Sequence, residues 1–238
     1  MRVLHLHSGN QFGGIERLLV TLAERSSDAP GTEHVFALCF RGRLWSELTD
    51  VGAHVVHLGV ARLARPESVL RARHAARQLI SGSPPDVVLT HLPWARVVFG
   101  PVLRDVGGRA VQWVHGCAPR PGWLDRLANR YPPDACVFNS SYTASICADR
   151  YPGLPSRVVY CPVQLPPPAE SRDSVRERFG TAATDLVIVQ TSRMEAWKGH
   201  FDLVDAATLL PLHLPWVIWF AGGPQTVKQK RYYERLQT

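Results

Sequence analysis

Short apolar, β-branched runs and amphipathic helical segments take turns along almost the whole of this 238-residue chain. That alternation leaves few folds open, because strands joined through helices pair in parallel and must be covered on both faces. Strands are predicted at 3–7, 35–40, 54–58, 87–90, 110–115, 135–139 and 157–161. Between them, helices are predicted at 14–26, 44–51, 67–80, 96–105, 123–130 and 142–149. A stiff segment at 162–168, ending in Pro166-Pro167-Pro168, suits neither element and marks a boundary between domains at 1–168 and 169–238. Beyond it come a helix at 175–179, a strand at 186–191, a helix at 200–210, a strand at 216–221 and a helix at 228–236. Residues 169–238 are fewer than the ~100 to 150 of an ordinary domain, so this second α/β domain is expected to be incomplete, with unpaired strand edges.

With 45% hydrophobic residues the chain can bury a sizeable core, and its net charge of +7 favours anionic partners. Five cysteines, Cys39, Cys117, Cys136, Cys147 and Cys161, stand singly without Cys-x-x-Cys or zinc spacing, which reads as reduced, mostly buried thiols in a cytoplasmic protein. A strand begins immediately after Met1-Arg2, where a secretory signal would need a longer apolar run. The apolar stretch at 216–221 falls far short of the ~20 residues that span a bilayer.

Two anion-binding signatures stand far apart. Gly13-Gly14-Ile15-Glu16 follows the first strand and opens a helix whose Ile15, Leu18, Leu19 and Leu22 keep helical spacing. A turn of this kind lets a diphosphate approach bare backbone N–H groups at a helix N-terminus. Later, Arg193 and Lys198 follow the strand at 186–191 and stand where a helix opens. Positive charge there opposes the helix dipole, so an anionic ligand is its natural reason. His115-Gly116 and Asn139-Ser140 also end predicted strands, where open α/β folds place ligands. Either Asn139 or Ser140 would cap the helix that follows. His5 and His7 alternate along the first strand with no carboxylate or cysteine at ligand spacing, and read as structural.

In order, Phe12-Gly13-Gly14-Ile15-Glu16, Val114-His115-Gly116, Asn139-Ser140, Thr191-Ser192-Arg193 with Lys198-Gly199-His200, and Ala221-Gly222-Gly223-Pro224 resemble the family 4 glycosyltransferases of the GT-B architecture. The resemblance implies two Rossmann-like domains facing across a cleft, here an acceptor-side domain and the start of the donor domain. It implies retaining transfer of a sugar from a UDP- or GDP-sugar to a glycan or lipid-linked acceptor, without a metal, a cofactor or a nucleic-acid partner. Gly13 and Gly14 would then meet the donor diphosphate, and Glu16 would hold the turn or touch the acceptor. Arg193 and Lys198 would grip the phosphates and offset charge on the leaving group, a large catalytic effect. His115 would lie beside the donor sugar, Asn139 and Ser140 at the cleft edge, and Gly222 and Gly223 near the base. The family's usual acidic residue between those glycines is missing, and no Asp-x-Asp metal motif is present. The family's Glu-x7-Glu signature, which holds ribose and sugar, would fall beyond Thr238. The chain is therefore also expected to be an inactive truncated product, or one half of a transferase completed by a second chain.

Arg62, Arg65, Arg71, Arg73 and Arg77 cluster around the helix at 67–80. They suggest peripheral docking on an anionic membrane at its inner face, helped by lipid-linked acceptors. A nicotinamide dehydrogenase is disfavoured, because Gly9, Gly13 and Gly14 miss the Gly-x-Gly-x-x-Gly spacing and the second strand ends in Cys39-Phe40-Arg41.

Overall fold

The computed structural model describes residues 1–106, 109–116, 120–165, 167–211 and 213–237. Cys117 and Pro166 therefore lie outside the described residues. Seven strands form one all-parallel sheet: β1 (Arg2–His7), β2 (Glu33–Leu38), β3 (His54–His57), β4 (Val87–Thr90), β5 (Arg109–Val114), β6 (Ala135–Phe138) and β7 (Ser156–Val158). Their order is β3-β2-β1-β4-β5-β6-β7, the Rossmann-like arrangement that the alternation implies. Connecting helices are α1 (Gly14–Glu24), α2 (Arg43–Asp50), α3 (Pro66–Gly82), α4 (Pro93–Val106), α5 (Trp123–Ala128) and α6 (Ser141–Cys147).

The strands read as unbroken apolar runs because both sheet faces are buried. Leu4, Leu6, Val35, Ala37 and Val88 pack on one face against Ala72, Ala76 and Ile80 of α3 and Val98, Phe99 and Val102 of α4. On the other face Phe36 and Leu38 meet Leu19, Val20 and Ala23 of α1 and Leu44 and Leu48 of α2. Consecutive residues of β2 thus alternate between two cores, as the pleat requires.

The chain divides into two compact units, Met1–Gln164 and Leu165–Thr238. The second contains α7 (Arg172–Arg178), β8 (Leu186–Thr191), α8 (His200–Ala207), β9 (Trp216–Ala221) and α9 (Val227–Leu236). β8 and β9 pair in parallel as a sheet of their own.

Element ends differ from the expected ones for local reasons. Helix α1 stops at Glu24, and Ser26–Asp28 turn as a 3-10 segment; Ser and Asp side chains compete for backbone partners and disfavour helix continuation. Helix α8 stops at Ala207 rather than 210, because Pro211 biases the residue before it away from helical geometry. Strand β7 covers three exposed residues instead of five. Cys39, Cys136 and Cys161 are free thiols, but Cys147 is disulfide-bonded. That corrects the expectation of reduced thiols throughout: isolated spacing along the chain does not reveal which cysteines folding brings together.

Helix α4 contains Pro101, which cannot donate to the carbonyl of Val97. Arg73 of α3 supplies the missing donor, through Nη2 to Val97 O at 3.1 Å and Nε to Val98 O at 2.6 Å. Arg77 pairs with Asp105 at 3.0 Å. Two of the five clustered arginines therefore join α3 to α4. Arg73→Met should cost about 1 to 3 kcal/mol, because it orphans the Val97 carbonyl and removes a second hydrogen bond to Val98 O, whereas the exposed Arg71→Met should stay within about 0.5 kcal/mol. Urea denaturation of both variants measures the contrast.

Candidate functional site at the ends of the central strands

Strand order reverses between β1 and β4, and in open α/β sheets ligands bind beyond the carboxyl ends of the strands at such a point. The segment after β1 leads through Ser8 to the glycine turn. Gly13 is the N-cap of α1 with extended backbone (φ −162°, ψ −153°) and no side-chain cap. A Cβ placed on Gly14 would meet nothing within 4 Å, and its φ is not positive. The local fold therefore does not demand glycine at position 14, and the bare backbone faces open space.

Below the turn, His7 Nε2 lies 3.0 Å from Glu16 Oε1, with both side chains nearly buried. Burial pushes the Glu16 carboxyl up, yet the His7 contact and nearby backbone amides outweigh it and hold the group below its usual range. Beside this pair four imidazoles from neighbouring strands stand in a row. His34 Nδ1 is 2.9 Å from His5 Nε2, His5 Nδ1 is 3.1 Å from His91 Nε2, and His91 Nδ1 is 3.3 Å from His115 Nε2. Their rings lie at 20° to 30° to one another, and Trp113 stacks on both His91 and His115. Burial, reinforced by the neighbouring His34, lowers the His5 pKa to about 3. Burial also drives His91 well below the usual histidine range and brings His115 to about 4, against an opposing pull from Glu16. The row is uncharged at neutral pH.

The structure separates the two residues at the end of β6. Ser140 is the helix cap, its Oγ accepting from Thr143 N at 3.0 Å. Asn139 instead ties two strand ends together, its Nδ2 donating to His115 O at 3.1 Å. Several buried polar atoms here have no aligned hydrogen-bond partner among the described residues: His7 Nδ1, Ser8 Oγ, Trp113 Nε1 and Asn139 Oδ1. Buried groups are normally satisfied, so their gathering along the ends of β1, β5 and β6 needs a reason.

In the second unit, Lys198 closes a 3-10 turn, Ala196–Lys198, and Gly199 caps α8 in the left-handed conformation (φ +75°). Lys198 Nζ sits 3.8 Å from the centre of the exposed Trp197 ring. Arg193 is paired with Glu195 at 3.3 Å, and Glu195 accepts from Gln229 at 2.9 Å. Part of the expected basic pair is thus balanced from within. Gly222 has a packing reason of its own: a Cβ there would overlap the carbonyl of Ser192, and its φ is +154°. A Cβ on Gly223 would meet nothing within 4 Å.

Among the described residues no cluster of His, Cys, Asp and Glu could hold a metal ion, and no helix is long and apolar enough to cross a membrane.

The glycosyltransferase family 4 model matches residues 12–165, more than half of the chain. The chain belongs to glycosyltransferase family 4. No curated protein matches it in sequence. Its fold is similar to that of HepE from Anabaena, solved with UDP-glucose, at 18% identity and a TM-score of 0.76, over 100% of this chain and 64% of that one. A glycosyltransferase from Rickettsia africae is similar at 17% identity and a TM-score of 0.71, over 99% and 63%. Sucrose-phosphate synthase from Thermosynechococcus elongatus follows at 13% identity and 0.74, over 99% and 67%. This family 4 chain thus spans less than two thirds of the length of the first two, and it shares their α/β architecture.

Sequence reasoning singled out His115 and Glu16 but missed His34 and His91, and gave His7 a purely structural part. Four histidines on or just beyond β2, β1, β4 and β5 become neighbours only through the sheet order. The row also governs acid stability. The folded pKa values of His5 and His115 lie below the ~6.5 of an unfolded histidine. The unfolded chain therefore binds more protons under acid, and stability present above about pH 6.5 is lost as pH falls toward 4. Each such histidine contributes up to ~1.4 kcal/mol per pH unit in that window. His5→Phe should remove up to that much from the slope between pH 6 and 5, as urea midpoints at pH 7, 6 and 5 would show. An unchanged slope would mean that His5 is not held neutral.

Proposed function

We propose that this family 4 protein transfers a sugar, with retention of configuration, from a UDP- or GDP-sugar to a glycan or lipid-linked acceptor. The observation that carries the reading is the set of partnerless buried polar atoms along the ends of β1, β5 and β6, beside a turn where a Cβ on Gly14 would meet nothing within 4 Å. A polar ligand seated there would supply the missing hydrogen bonds. The UDP-glucose held by HepE supports a nucleotide sugar as that ligand.

Gly13 and Gly14 offer backbone N–H groups to the diphosphate, and His115 packs beside the donor sugar, held by Asn139 through its carbonyl. Glu16 fixes His7 under the turn and, with Asn139 and Ser140, borders the acceptor. Of the basic pair, Lys198 has the freer charge; Arg193 adds to it while sharing Glu195. Gly222 and Gly223 bring backbone toward the nucleotide. Positive charge on the leaving diphosphate takes the place of a divalent cation in this reading.

UDP and GDP titrations of the protein test these roles. Lys198→Ala should weaken the nucleotide that binds by ~1.5 to 3 kcal/mol, the scale of one charge-assisted contact. Gly14→Val should cut sugar transfer at least tenfold with little change in melting temperature, because the new side chain fills space the ligand needs and its Cβ meets nothing within 4 Å. A parallel loss of folding and transfer would make the turn merely structural.

The same reading places the protein in the cytoplasm, working at the inner face of a membrane. Arg62, Arg65 and Arg71 remain exposed after Arg73 and Arg77 are engaged, and Val60, Leu63 and Leu70 expose apolar side chains among them. Basic residues beside anionic lipid contribute ~1 kcal/mol each. Sedimentation with phosphatidylglycerol vesicles should bring the protein down, and replacing the three arginines with glutamine should release it. Equal binding to phosphatidylcholine would end this part of the proposal.

A further inference from the structure

We propose a second anion site in the larger unit, a groove of about 290 Å3 between α4 and the segment joining α5 to β6, which takes a small molecule with an oxyanion and an apolar body. Its walls include Ala110 and Asp134, at the starts of β5 and β6, so it opens toward the end of the sheet opposite the glycine turn.

The decisive residue is Arg96, which lines the groove and is only 4% exposed. A guanidinium stays charged in a protein, and a buried charge without a counter-charge is strongly unfavourable. Arg96 has only neutral company. Its Nη2 donates to Asn129 Oδ1 at 2.8 Å, and its guanidinium carbon lies 5.4 Å from the centre of the Tyr151 ring. The Tyr151 hydroxyl also hydrogen-bonds the guanidinium, while Nε and Nη1 have no aligned partner, and among the described residues no carboxylate oxygen lies within the 4.0 Å of an ion pair. The one carboxylate on the wall, Asp134, accepts from Ala110 N at 2.7 Å.

Two further arginines stand at the same groove. Arg130 is exposed and has no partner among the described residues, and Arg104 has only a loose pair with Asp105 at 4.0 Å and a distant Tyr131 ring. Leu103, Tyr131 and Pro132 supply the apolar surface. A Cβ on Gly100 would come within 2.5 Å of Tyr131, so Tyr131 packs directly against the α4 backbone. Planar guanidinium forks above an apolar wall suit an oxyanion carried on a flat body.

Calorimetric titration with phenyl phosphate, benzoate and phenol tests the site. Phenyl phosphate or benzoate should bind and phenol should not, the better of the two acids showing whether the groove prefers a tetrahedral or a planar oxyanion. Arg104→Gln with Arg130→Gln, both on the exposed rim, should weaken binding at least tenfold without disturbing the fold. Arg96→Met should abolish it, and the rise in melting temperature that the ligand gives the unaltered protein should vanish in that variant. If Arg96→Met does not fold, the rim variant decides. No binding at millimolar acid, phenol binding as well as phenyl phosphate, or an unchanged rim variant would overturn the proposal. None of these readouts involves a nucleotide, so failure of the donor reading would leave them untouched.

Discussion

Because β1 is hydrogen-bonded in parallel to β2 on one side and to β4 on the other, the carboxyl ends of the central strands are level with one another. The pairing of Leu6 with Ala37 and with Thr90 fixes that level to the residue. His7, His91 and His115 follow or end strands at one edge, and a slip of one position in β1 would turn His5 and His7 into the α3–α4 core. The apolar halves of the strands, buried on both faces, are what hold the register. The polar strand ends depend on a core they do not touch.

Much of this architecture was legible because it is written in short-range pattern. Apolar runs of four to six residues fixed β4, β8 and β9 to the residue, and the helices were located with their ends displaced by up to three residues, at two of them where Ser26 and Pro211 act locally. The glycine turn was legible for the same reason, lying within one strand–turn–helix unit. The histidine row was not, since adjacent members are separated by as many as 86 residues and are joined by strand order. Nor could the sequence tell Asn139 from Ser140, adjacent residues with the same capping chemistry. The difference lies in which one stands across from the His115 carbonyl. Arginines show the same limit: Arg73 braces a proline-containing helix, while Arg71, two residues away, is exposed.

Charge is distributed in a telling way. At the glycine turn the one carboxylate, Glu16, pairs with His7 and accepts from the Gly13 amide. In the second unit Glu195 restrains Arg193 but leaves Lys198 leaning on an exposed aromatic ring. An ammonium group resting on such a ring keeps its charge and can leave cheaply, whereas a paired guanidinium must first exchange partners.

The order of nitrogen atoms along the histidine row has a consequence of its own. Every contact runs from Nδ1 of one ring to Nε2 of the next, and each neutral imidazole carries one N–H. Two arrangements satisfy all three contacts: every ring protonated at Nε2, or every ring protonated at Nδ1. Any mixture leaves one link with two hydrogens or none, an expensive defect among buried groups. The four rings therefore change tautomer together, as a single line of dominoes. Whether His115 shows a hydrogen or a lone pair at Nδ1 is settled jointly with His34, three strands away at the half-buried end of the line.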